Sequence, residues 1–395
     1  MTERVNQLAE ALRGDLITFL REIIAIPSLN GKEKNVILRM KEEMEKLGYD
    51  RVWIDPLGNL LGQIGTGPRL IALDGHCDTV GVGNPETWEI DPFKGDYRNN
   101  IIYGRGASDQ KGGLASAIYT AKILEETGIP DDISLLVTAS VLEEDYEGLC
   151  WQYILKETGI KPEAVLLTEP SDLQIKTGQR GRMEMKVKTR GVSCHGSAPE
   201  RGENAIYKIT PIIEDINRLH NKLHSPSLLG KGTVVVTDVR SSAPSLCAVP
   251  DSAVLHLDRR LTEGETLESC VEEIAVLPSV KTAGAEITVP EYIVESYTGL
   301  KYPTRAYFPM WLMERTHPVV QVAERVYRNQ FSQEPEVGVW GFSTNGVATK
   351  GGFDIPTIGF GPGKEEFAHT PYDQIHEDDL IKALEFYAAF ILELG

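Results

Sequence analysis

The stretch LIALDGHCDTV, residues 70–80, decides the fold, because an apolar run ends there in alternating ionisable residues. The run LIAL has the composition of a buried strand, and Asp74, His76 and Asp78 follow at every second position. Side chains two apart on a strand share one face, so these three would project together at the carboxyl end of the strand. The pattern indicates either a solvated strand end or the first part of a chemical site.

Short apolar runs alternate with helical patterns through the first 180 residues. The predicted strands are 51–54, 60–63, 70–73, 133–140 and 164–168, and the predicted helices are 4–25, 33–47, 112–126 and 149–158. Strands that alternate with helices indicate an α/β fold with a parallel or mixed sheet and helices on both faces.

The pattern changes near residue 181, where RMEMKVK alternates apolar and charged residues as a half-exposed strand does. Later segments predict helices over 204–220 and 268–276 and strands over 233–239, 253–257 and 285–290, which together form a small α+β sandwich. After residue 303 the α/β pattern returns, with helices over 318–329 and 377–394 and a strand over 355–359. We therefore expect a catalytic domain formed by residues 1–180 and 298–395, with a smaller domain inserted at residues 181–297.

Charge and cysteine content limit the possible partners and compartments. The chain has 395 residues and a formal net charge of −18, which argues against nucleic acid or an anionic membrane as a partner. Its five cysteines are odd in number and form no CxxC pair, which predicts a reducing compartment. No signal peptide or apolar run of membrane-spanning length is recognisable, so we expect a cytoplasmic protein.

Side chains that can bind metal occur in five separate segments. They are His76 at the first strand end, Asp109 in GRGASDQKGG, Glu143 and Glu144 after strand 133–140, Glu169 after strand 164–168, and His369 in AHTPYD. Sites in open α/β sheets form beyond the carboxyl ends of the strands, and nitrogen and oxygen ligands suit zinc. Each segment alone has an ordinary structural explanation, such as a turn or a solvated surface, so the metal hypothesis depends on their joint occurrence.

The segments GHCDTV, GRGASDQKGG, LEEDYEG, LLTEPS and AHTPYDQIHEDDL resemble those of a known hydrolase family in order and spacing. The family is that of the zinc-dependent acetylornithine deacetylase, succinyl-diaminopimelate desuccinylase, aminoacylase and carboxypeptidase G. The resemblance covers nearly the whole chain. It is greatest to a deacetylase-like subgroup linked to selenium or purine-related metabolism. It implies a zinc aminopeptidase-like, three-layer catalytic domain with a mixed sheet and an inserted ferredoxin-like α+β dimerisation (lid) domain.

The resemblance also implies a ligand set for two divalent metal ions, zinc first and cobalt or manganese as alternatives. Asp109 would bridge the two ions, with His76 and Glu169 completing one and Glu144 and His369 the other. Glu143 would be the general base for a metal-bridging water, and Asp78 would orient His76 through its other ring nitrogen.

The inserted domain and a later loop would contact the substrate. By the same resemblance, His195 would reach into the partner subunit's site and stabilise the oxyanion, and Arg260 would hold a substrate carboxylate. The loop GFSTNGVA resembles the family's substrate loop, with Ser343, Thr344 and Asn345 as candidates. An internal Asp–Arg pair is the alternative for Arg260. Cys247 replaces the asparagine that many relatives have three residues before the proline of this segment, so we expect the substrate contact there to differ.

These observations predict a two-metal amidohydrolase that cleaves an N-acyl amino acid or short peptide carrying a free carboxylate. We expect it to be a homodimer joined through the inserted domain. Within the same class, a dipeptidase or carboxypeptidase and a carbamoyl-amide hydrolase remain open. From another class, a non-catalytic metal-dependent binding protein is the alternative.

Overall fold

The computed structural model describes residues 1–395, and a nine-stranded mixed sheet forms its larger part. Its strands are β1 (Arg51–Ile54), β2 (Leu60–Ile64), β3 (Arg69–His76), β6 (Ile133–Ser140), β7 (Ala164–Leu167), β8 (Ile175–Gln179), β16 (Trp311–Leu312), β17 (Val337–Trp340) and β18 (Thr357–Gly359). Their order is β1-β2-β6-β3-β7-β18-β8-β16, with β17 beside β8. The four central neighbours β6, β3, β7 and β18 run parallel, so their carboxyl ends lie at one edge of the sheet.

Nine α-helices accompany the strands. They are α1 (Thr2–Ile24), α2 (Lys34–Lys46), α3 (Gly112–Thr127), α4 (Leu149–Tyr153), α5 (Ala205–His220), α6 (Leu267–Ala275), α7 (Pro278–Ala283), α8 (Pro318–Phe331) and α9 (Glu377–Leu394). Helices α1, α3 and α9 pack against one another, and α3 contacts β3 and β6 of the sheet. The eight predicted helices are present with ends shifted by at most two residues, except that α4 continues as a wider π-type turn to Thr158.

A second sheet is built from residues that begin at Gly181. Its strands are β9 (Gly181–Arg190), β10 (Thr233–Ser242), β11 (Ser252–Leu261), β12 (Glu286–Thr288) and β15 (Tyr307–Phe308), ordered β10-β11-β9-β12 with β15 beside β9. Helix α5 packs on this sheet, and alternate residues of β9 and β11 point inward to form a separate hydrophobic core. The alternation of RMEMKVK therefore arises because only one face of the sheet is covered by helices.

Two small sheets complete the fold. One is a hairpin of β13 (Glu291–Glu295) and β14 (Lys301–Arg305), and the other joins β4 (Asp96–Arg98), β5 (Ile101–Tyr103) and β19 (Gln374–His376). The expected domain boundary after residue 297 falls in the hairpin loop, and the chain rejoins the large sheet at β16. In the whole chain, no helix combines the length and apolar content needed to cross a bilayer.

Candidate metal centre

The carboxyl ends of the parallel strands bring most of the predicted ligands together. His76 ends β3, Glu143 and Glu144 follow shortly after β6, and Glu169 follows β7. His369 lies in the segment between β18 and β19. Because β6, β3, β7 and β18 are parallel neighbours, residues that follow them lie at the same edge of the sheet.

Asp109 reaches this edge from another direction, on an irregular turn (Ala107–Lys111) that precedes α3. The buried ammonium of Lys111 anchors this turn by donating hydrogen bonds to the carbonyls of Ile23 (2.9 Å) and Ile26 (3.1 Å). The Ile23 carbonyl lies in the last turn of α1 and the Ile26 carbonyl just beyond it, so Lys111 ties the turn to the end of the first helix. Because α1 also packs against α3, which follows the turn, both ends of this contact help to fix the position of Asp109.

Asp109 faces both predicted histidine ligands, one with each carboxylate oxygen. Its Oδ1 lies 3.2 Å from His76 Nε2, and its Oδ2 lies 3.3 Å from His369 Nε2. Glu144 Oε2 lies 2.9 Å from the same nitrogen of His369. A carboxylate with one oxygen toward each of two nitrogen ligands has the arrangement required to bridge two cations.

Two further carboxylates surround His76. Its Nε2 lies 3.8 Å from Glu143 Oε2 and 3.8 Å from Glu169 Oε1. Two groups of potential ligand atoms can each be enclosed within 4.8 Å: His76 with Glu143 and Glu169, and His76 with Asp109 and Glu144. The side chains predicted to bind metal are therefore adjacent in space, although they span nearly 300 residues of sequence.

The tautomer of His76 leaves its Nε2 available for a metal ion. Its Nδ1 lies 2.9 Å from the main-chain carbonyl of Asp78, an acceptor, so Nδ1 carries the proton. An unprotonated Nε2 would then face carboxylate oxygens on three sides with no hydrogen between them. Either a proton or a cation is needed there, and a histidine fixed through its other nitrogen is the usual arrangement of a metal ligand.

The electrostatics of the cluster also favour a cation. Burial raises the pKa of Glu143 and of Glu169 well above the usual carboxyl range. Burial alone would favour neutral His76, yet the charges of Glu143 and Glu169 raise the pKa of this imidazole well above its usual value. Hydrogen bonds to Asp109 and Glu144 raise the pKa of His369 to about 10. These four pKa values all rise, which is the direction expected when a buried acidic cluster lacks positive charge.

A buried oxygen without a partner indicates the same requirement. Glu143 Oε1 is inaccessible to solvent and accepts no hydrogen bond, and Asp78 Oδ1 is in the same condition. Buried polar atoms are normally satisfied, so such atoms beside an acidic cluster are those that an ion or water would complete. Imidazole nitrogens and carboxylate oxygens are the donor set of zinc, cobalt and manganese, and the residues present fit divalent ions of this kind.

The position of Asp78 differs from the sequence expectation. Its carboxylate was expected to orient His76, but the nearest carboxylate oxygen is 3.7 Å from Nδ1 and the main-chain carbonyl makes the shorter contact. The carboxylate instead accepts the N–H of Glu144 at 2.9 Å. Asp78 thus connects β3 to the loop of Glu143 and Glu144. Its main-chain carbonyl contacts His76, and its carboxylate accepts the N–H of Glu144.

The structure brings only one of the three predicted substrate-loop side chains to the site. Ser343 lines the cavity above the cluster, whereas Thr344 and Asn345 are buried behind it. Thr344 Oγ1 donates to Gln179 at 2.6 Å, and Asn345 Nδ2 donates to Asp74 at 2.9 Å. In this structure the side chains of Thr344 and Asn345 therefore do not reach the cavity, because both are used in buried hydrogen bonds.

Arg260 lines the same cavity, and the alternation of β11 explains why its neighbour does not. Arg260 lies on the exposed face of β11 and makes a 2.9 Å contact with Asp258, which is the internal pair given as the alternative in the sequence analysis. Arg259 points inward and pairs with Glu265 at 2.5 Å and Glu273 at 2.9 Å. Side chains two apart on a strand share a face, which selects Arg260 for the cavity.

His195 lies outside the cavity of its own chain. It is exposed, forms an isolated antiparallel bridge with Ala248, and its Nδ1 lies 2.7 Å from Ser197 Oγ. Cys247, the substituted position, is also exposed next to this bridge. Within one chain, neither residue contacts the acidic cluster.

The cavity above the cluster has a volume of about 500 Å³ and includes residues that the sequence reasoning missed. Besides the predicted ligands, Glu143, Arg260 and Ser343, its wall contains Glu147, Gly341, Phe342, Glu365 and Ala368. Glu147 lies in the same segment as Glu143 and Glu144, and Phe342 precedes Ser343, so proximity in sequence could have indicated these two. No motif or pattern in the sequence indicates that Glu365 lines the cavity.

Comparison with known proteins identifies the family. The profile of Peptidase family M20/M25/M40 matches residues 72–393. YgeY, an uncharacterized protein of Escherichia coli (strain K12), is 50% identical over 388 residues, covering 98% of this chain and 96% of YgeY. Succinyl-diaminopimelate desuccinylase of Legionella pneumophila (strain Corby) is 27% identical over 271 residues, covering 65% of this chain and 70% of that enzyme.

A solved structure shows the same fold over the whole chain. YXEP of Bacillus subtilis, a dinuclear metal binding peptidase from the M20 family, superposes with a TM-score of 0.71 at 15% identity, covering 98% of this chain and 99% of YXEP. The chain belongs to Peptidase family M20/M25/M40 and is a hydrolase that acts on amide or peptide bonds. The expected family and the expected fold class, a mixed α/β domain with a second α+β part, are confirmed.

Proposed function

We propose that this hydrolase is a two-metal amidohydrolase that cleaves an N-acyl amino acid or short peptide next to a free carboxylate. The observation that carries the proposal is Asp109, whose two oxygens face His76 and His369 at 3.2 and 3.3 Å. A buried aspartate shared by two histidines, with further carboxylates around it, is suited to a pair of divalent ions rather than to one.

The proposed ligand set is the one that the family resemblance implies, and the contacts of the cluster support it. Asp109 would be shared, His76 and Glu169 would hold one ion, and Glu144 and His369 would hold the other. Zinc is the first choice, and cobalt or manganese accept the same donors. When bound, such ions polarise the substrate carbonyl and lower the pKa of a water molecule.

Glu143 is the proposed general base. It is buried beside His76, and its Oε1 has no hydrogen-bond partner, so one oxygen is available for a proton. A carboxylate in this position can accept a proton from the attacking water and deliver it to the leaving nitrogen. Burial raises the pKa of Glu143, so this carboxylate holds a proton more readily than an exposed glutamate does.

The carboxylate of the substrate is proposed to bind at Arg260. The Arg260 side chain is 44% exposed and lines the cavity that contains the acidic cluster. A guanidinium offers two parallel donors to a carboxylate, and no other arginine or lysine lines this cavity. Ser343 contributes a hydroxyl to the same wall.

We also propose a homodimer, in which the second copy supplies His195. His195 is exposed and lies outside its own cavity, so it can act as oxyanion donor only from another chain or after domain movement. Strand β10 forms an open edge of the second sheet, with Val235 and Val239 exposed by 49% and 51%. Open edges with exposed apolar residues are the surfaces that pairing with a second strand would cover.

The function is tested with metal-loaded protein on a panel of N-acyl amino acids, dipeptides and ureido acids. We expect the Glu143→Gln variant to retain both ions and its melting temperature, while turnover falls by about 100- to 10,000-fold, the usual contribution of a general base. Glu42→Gln, an exposed glutamate on α2, is the matched control and should leave turnover unchanged.

Each outcome selects one reading. Release of an acyl group or of an amino acid supports deacylase or peptidase activity, and turnover of ureido acids alone supports a carbamoyl-amide hydrolase. A metal-loaded protein that hydrolyses nothing favours the non-catalytic binding protein. Undiminished turnover by Glu143→Gln would remove that residue from the base role.

The role of the second copy is tested by mixing two inactive variants. In a 1:1 mixture of His195→Ala and Glu143→Gln chains, half of the random dimers are mixed, and each mixed dimer contains one complete site. We therefore expect recovery of about a quarter of wild-type turnover if dimers exchange freely. If neither variant complements the other in exchanged dimers, His195 acts within its own chain or not at all.

A further inference from the structure

The turn that carries Asp109 has no regular secondary structure to hold it. Asp109 and the next residue, Gln110, have non-helical backbone angles, with φ −122° and ψ 99° at Asp109. Yet the Asp109 carboxylate must be held to within about 0.5 Å of its position between the two histidines if it is to bridge two ions. Some other part of the chain must therefore fix this turn.

A buried carboxylate holds the residues just before Asp109, whereas Lys111 anchors the end of the turn that follows it. Asp373 Oδ2 accepts the N–H of Gly106 at 2.7 Å, and Asp373 Oδ1 accepts the N–H of Ser108 at 2.8 Å. Both oxygens are thus used on the residues just before Asp109. Arg105 also donates to Asp373 Oδ2, at the longer distance of 3.1 Å.

Asp373 is itself held firmly in place. It immediately precedes β19, which pairs with β5, and its main-chain carbonyl accepts the N–H of Gly104 at 3.0 Å. The side chain is buried, with 1% of its surface exposed. A carboxylate with a fixed backbone and two short hydrogen bonds is a rigid support for the turn that it contacts.

The same segment carries the other histidine ligand. Asp373 follows His369 by four residues, and a second contact joins this segment to the turn, because the Ser108 hydroxyl both donates to and accepts from the main chain of Lys364. The segment from Lys364 to Asp373 therefore wraps around the turn of Asp109 at two points. Together these contacts set the 3.3 Å spacing between Asp109 Oδ2 and His369 Nε2.

We propose that Asp373 is a positioning residue, whose carboxylate holds the turn of Asp109 at the distance from His369 at which one aspartate can bridge two ions. This inference rests on the proposed two-metal function. It makes a more specific claim than that function, because a general structural role of Asp373 would affect folding alone, whereas a positioning role affects the second ion.

The test measures the dissociation constants of two Zn²⁺ ions by chelator competition, on protein whose fold is verified by circular dichroism. For Asp373→Asn we expect the ion on the His76 side to remain and the ion on the His369 side to bind about 10- to 100-fold more weakly, as for other residues that orient metal ligands. The value of kcat should fall with the loss of that ion, while KM at saturating Zn²⁺ should change less than threefold.

Asp55→Asn is the matched control. Asp55 is also buried, and it accepts the N–H groups of Gly58 (2.8 Å) and Asn59 (3.0 Å), so the substitution disturbs the same kind of contact in a loop outside the cavity. It should lower the melting temperature without changing either dissociation constant. Asp373→Glu, which keeps the charge, should weaken the second ion less than Asp373→Asn.

The outcomes separate the two claims. Wild-type protein that binds fewer than two ions contradicts the proposed function itself. Wild-type protein that binds two ions, together with an Asp373→Asn variant that binds both equally well, overturns the positioning role. If neither Asp373 variant folds while Asp55→Asn does, the carboxylate is required for the fold as a whole, and the positioning role is also overturned.

Discussion

His76 and His369 present the same ring nitrogen to Asp109, but the fold supports them in different ways. His76 ends a central strand between two parallel neighbours, and only 1% of its surface is exposed. Its other nitrogen donates to the carbonyl of Asp78, which fixes the ring before any ion binds. The orientation of His76 is thus determined by the backbone of the sheet.

His369 lacks this support. Its side chain is 53% exposed, and it belongs to a segment without regular strand structure. Its backbone has a φ of +61°, a left-handed conformation that is uncommon for residues other than glycine. The hydrogen bonds of its ring are made only to Asp109 and Glu144, both of them proposed ligands.

The difference shows that one half of the centre is preorganised and the other half depends on its own ligands. A side chain fixed by packing loses little conformational freedom when an ion binds, whereas an exposed one must be ordered by the ion. We therefore expect the two ions to bind with unequal affinity, with the weaker ion on the side of His369.

The largest effect is expected for His76→Ala. Removing this ring leaves Glu143 and Glu169 without a nitrogen partner and leaves Asp109 with His369 alone, so we expect tight metal binding to be lost and turnover to reach background. Breaking one side of a buried charged group costs about 3–5 kcal/mol, which should be seen as a lower free energy of unfolding. His224→Ala, at an exposed histidine outside the site, is the control and should alter none of these values.

His369→Ala tests the other half of the comparison and should have a smaller effect. We expect one ion to be lost and the other retained, with turnover falling by at least about 10- to 100-fold, as when metal affinity is weakened. Because the side chain is about half exposed, the free energy of unfolding of the metal-free protein should fall by less than it does for His76→Ala, although the contacts of the ring with Asp109 and Glu144 are lost. Equal loss of metal and stability in the His76 and His369 variants would contradict the asymmetry.

Local patterns in the sequence predicted where the residues of the preorganised half lie, whereas their roles as ligands came from the family resemblance. His76 and Glu169 follow apolar runs that form central strands, and parallel neighbours necessarily bring such residues to one edge. The sequence also indicated the eight main helices, because each has a long apolar period. The strands of the two small sheets were not predicted. Strands β5 and β19 have three residues each and are paired from distant parts of the chain, so no local pattern marks them.

The direction of polar side chains in loops could not be predicted in the same way. Thr344 and Asn345 occur in a glycine-containing loop. Serine, threonine and asparagine are common in such loops whether their side chains face solvent or the interior, so residue type does not indicate the direction. The partner of Asn345, Asp74, lies 271 residues away in sequence. Asp78 raises the same difficulty, because sequence does not distinguish a contact made by its carbonyl from one made by its carboxylate.

The smallest effect on turnover is expected around the cavity wall, where the half-buried Ser343 lines the cavity and Asn345 is buried behind it. Asn345→Ala removes a donor from the buried Asp74 carboxylate, so the free energy of unfolding should fall by about 1–3 kcal/mol while KM stays nearly constant. Ser343→Ala should raise KM less than about tenfold, because it removes one hydrogen bond of ~1 kcal/mol to the substrate. The free energy of unfolding of this variant should stay unchanged. Parallel urea denaturation and kinetics measure both quantities. A large rise in KM for Asn345→Ala would mean that the loop rearranges on binding and exposes a side chain that is buried here.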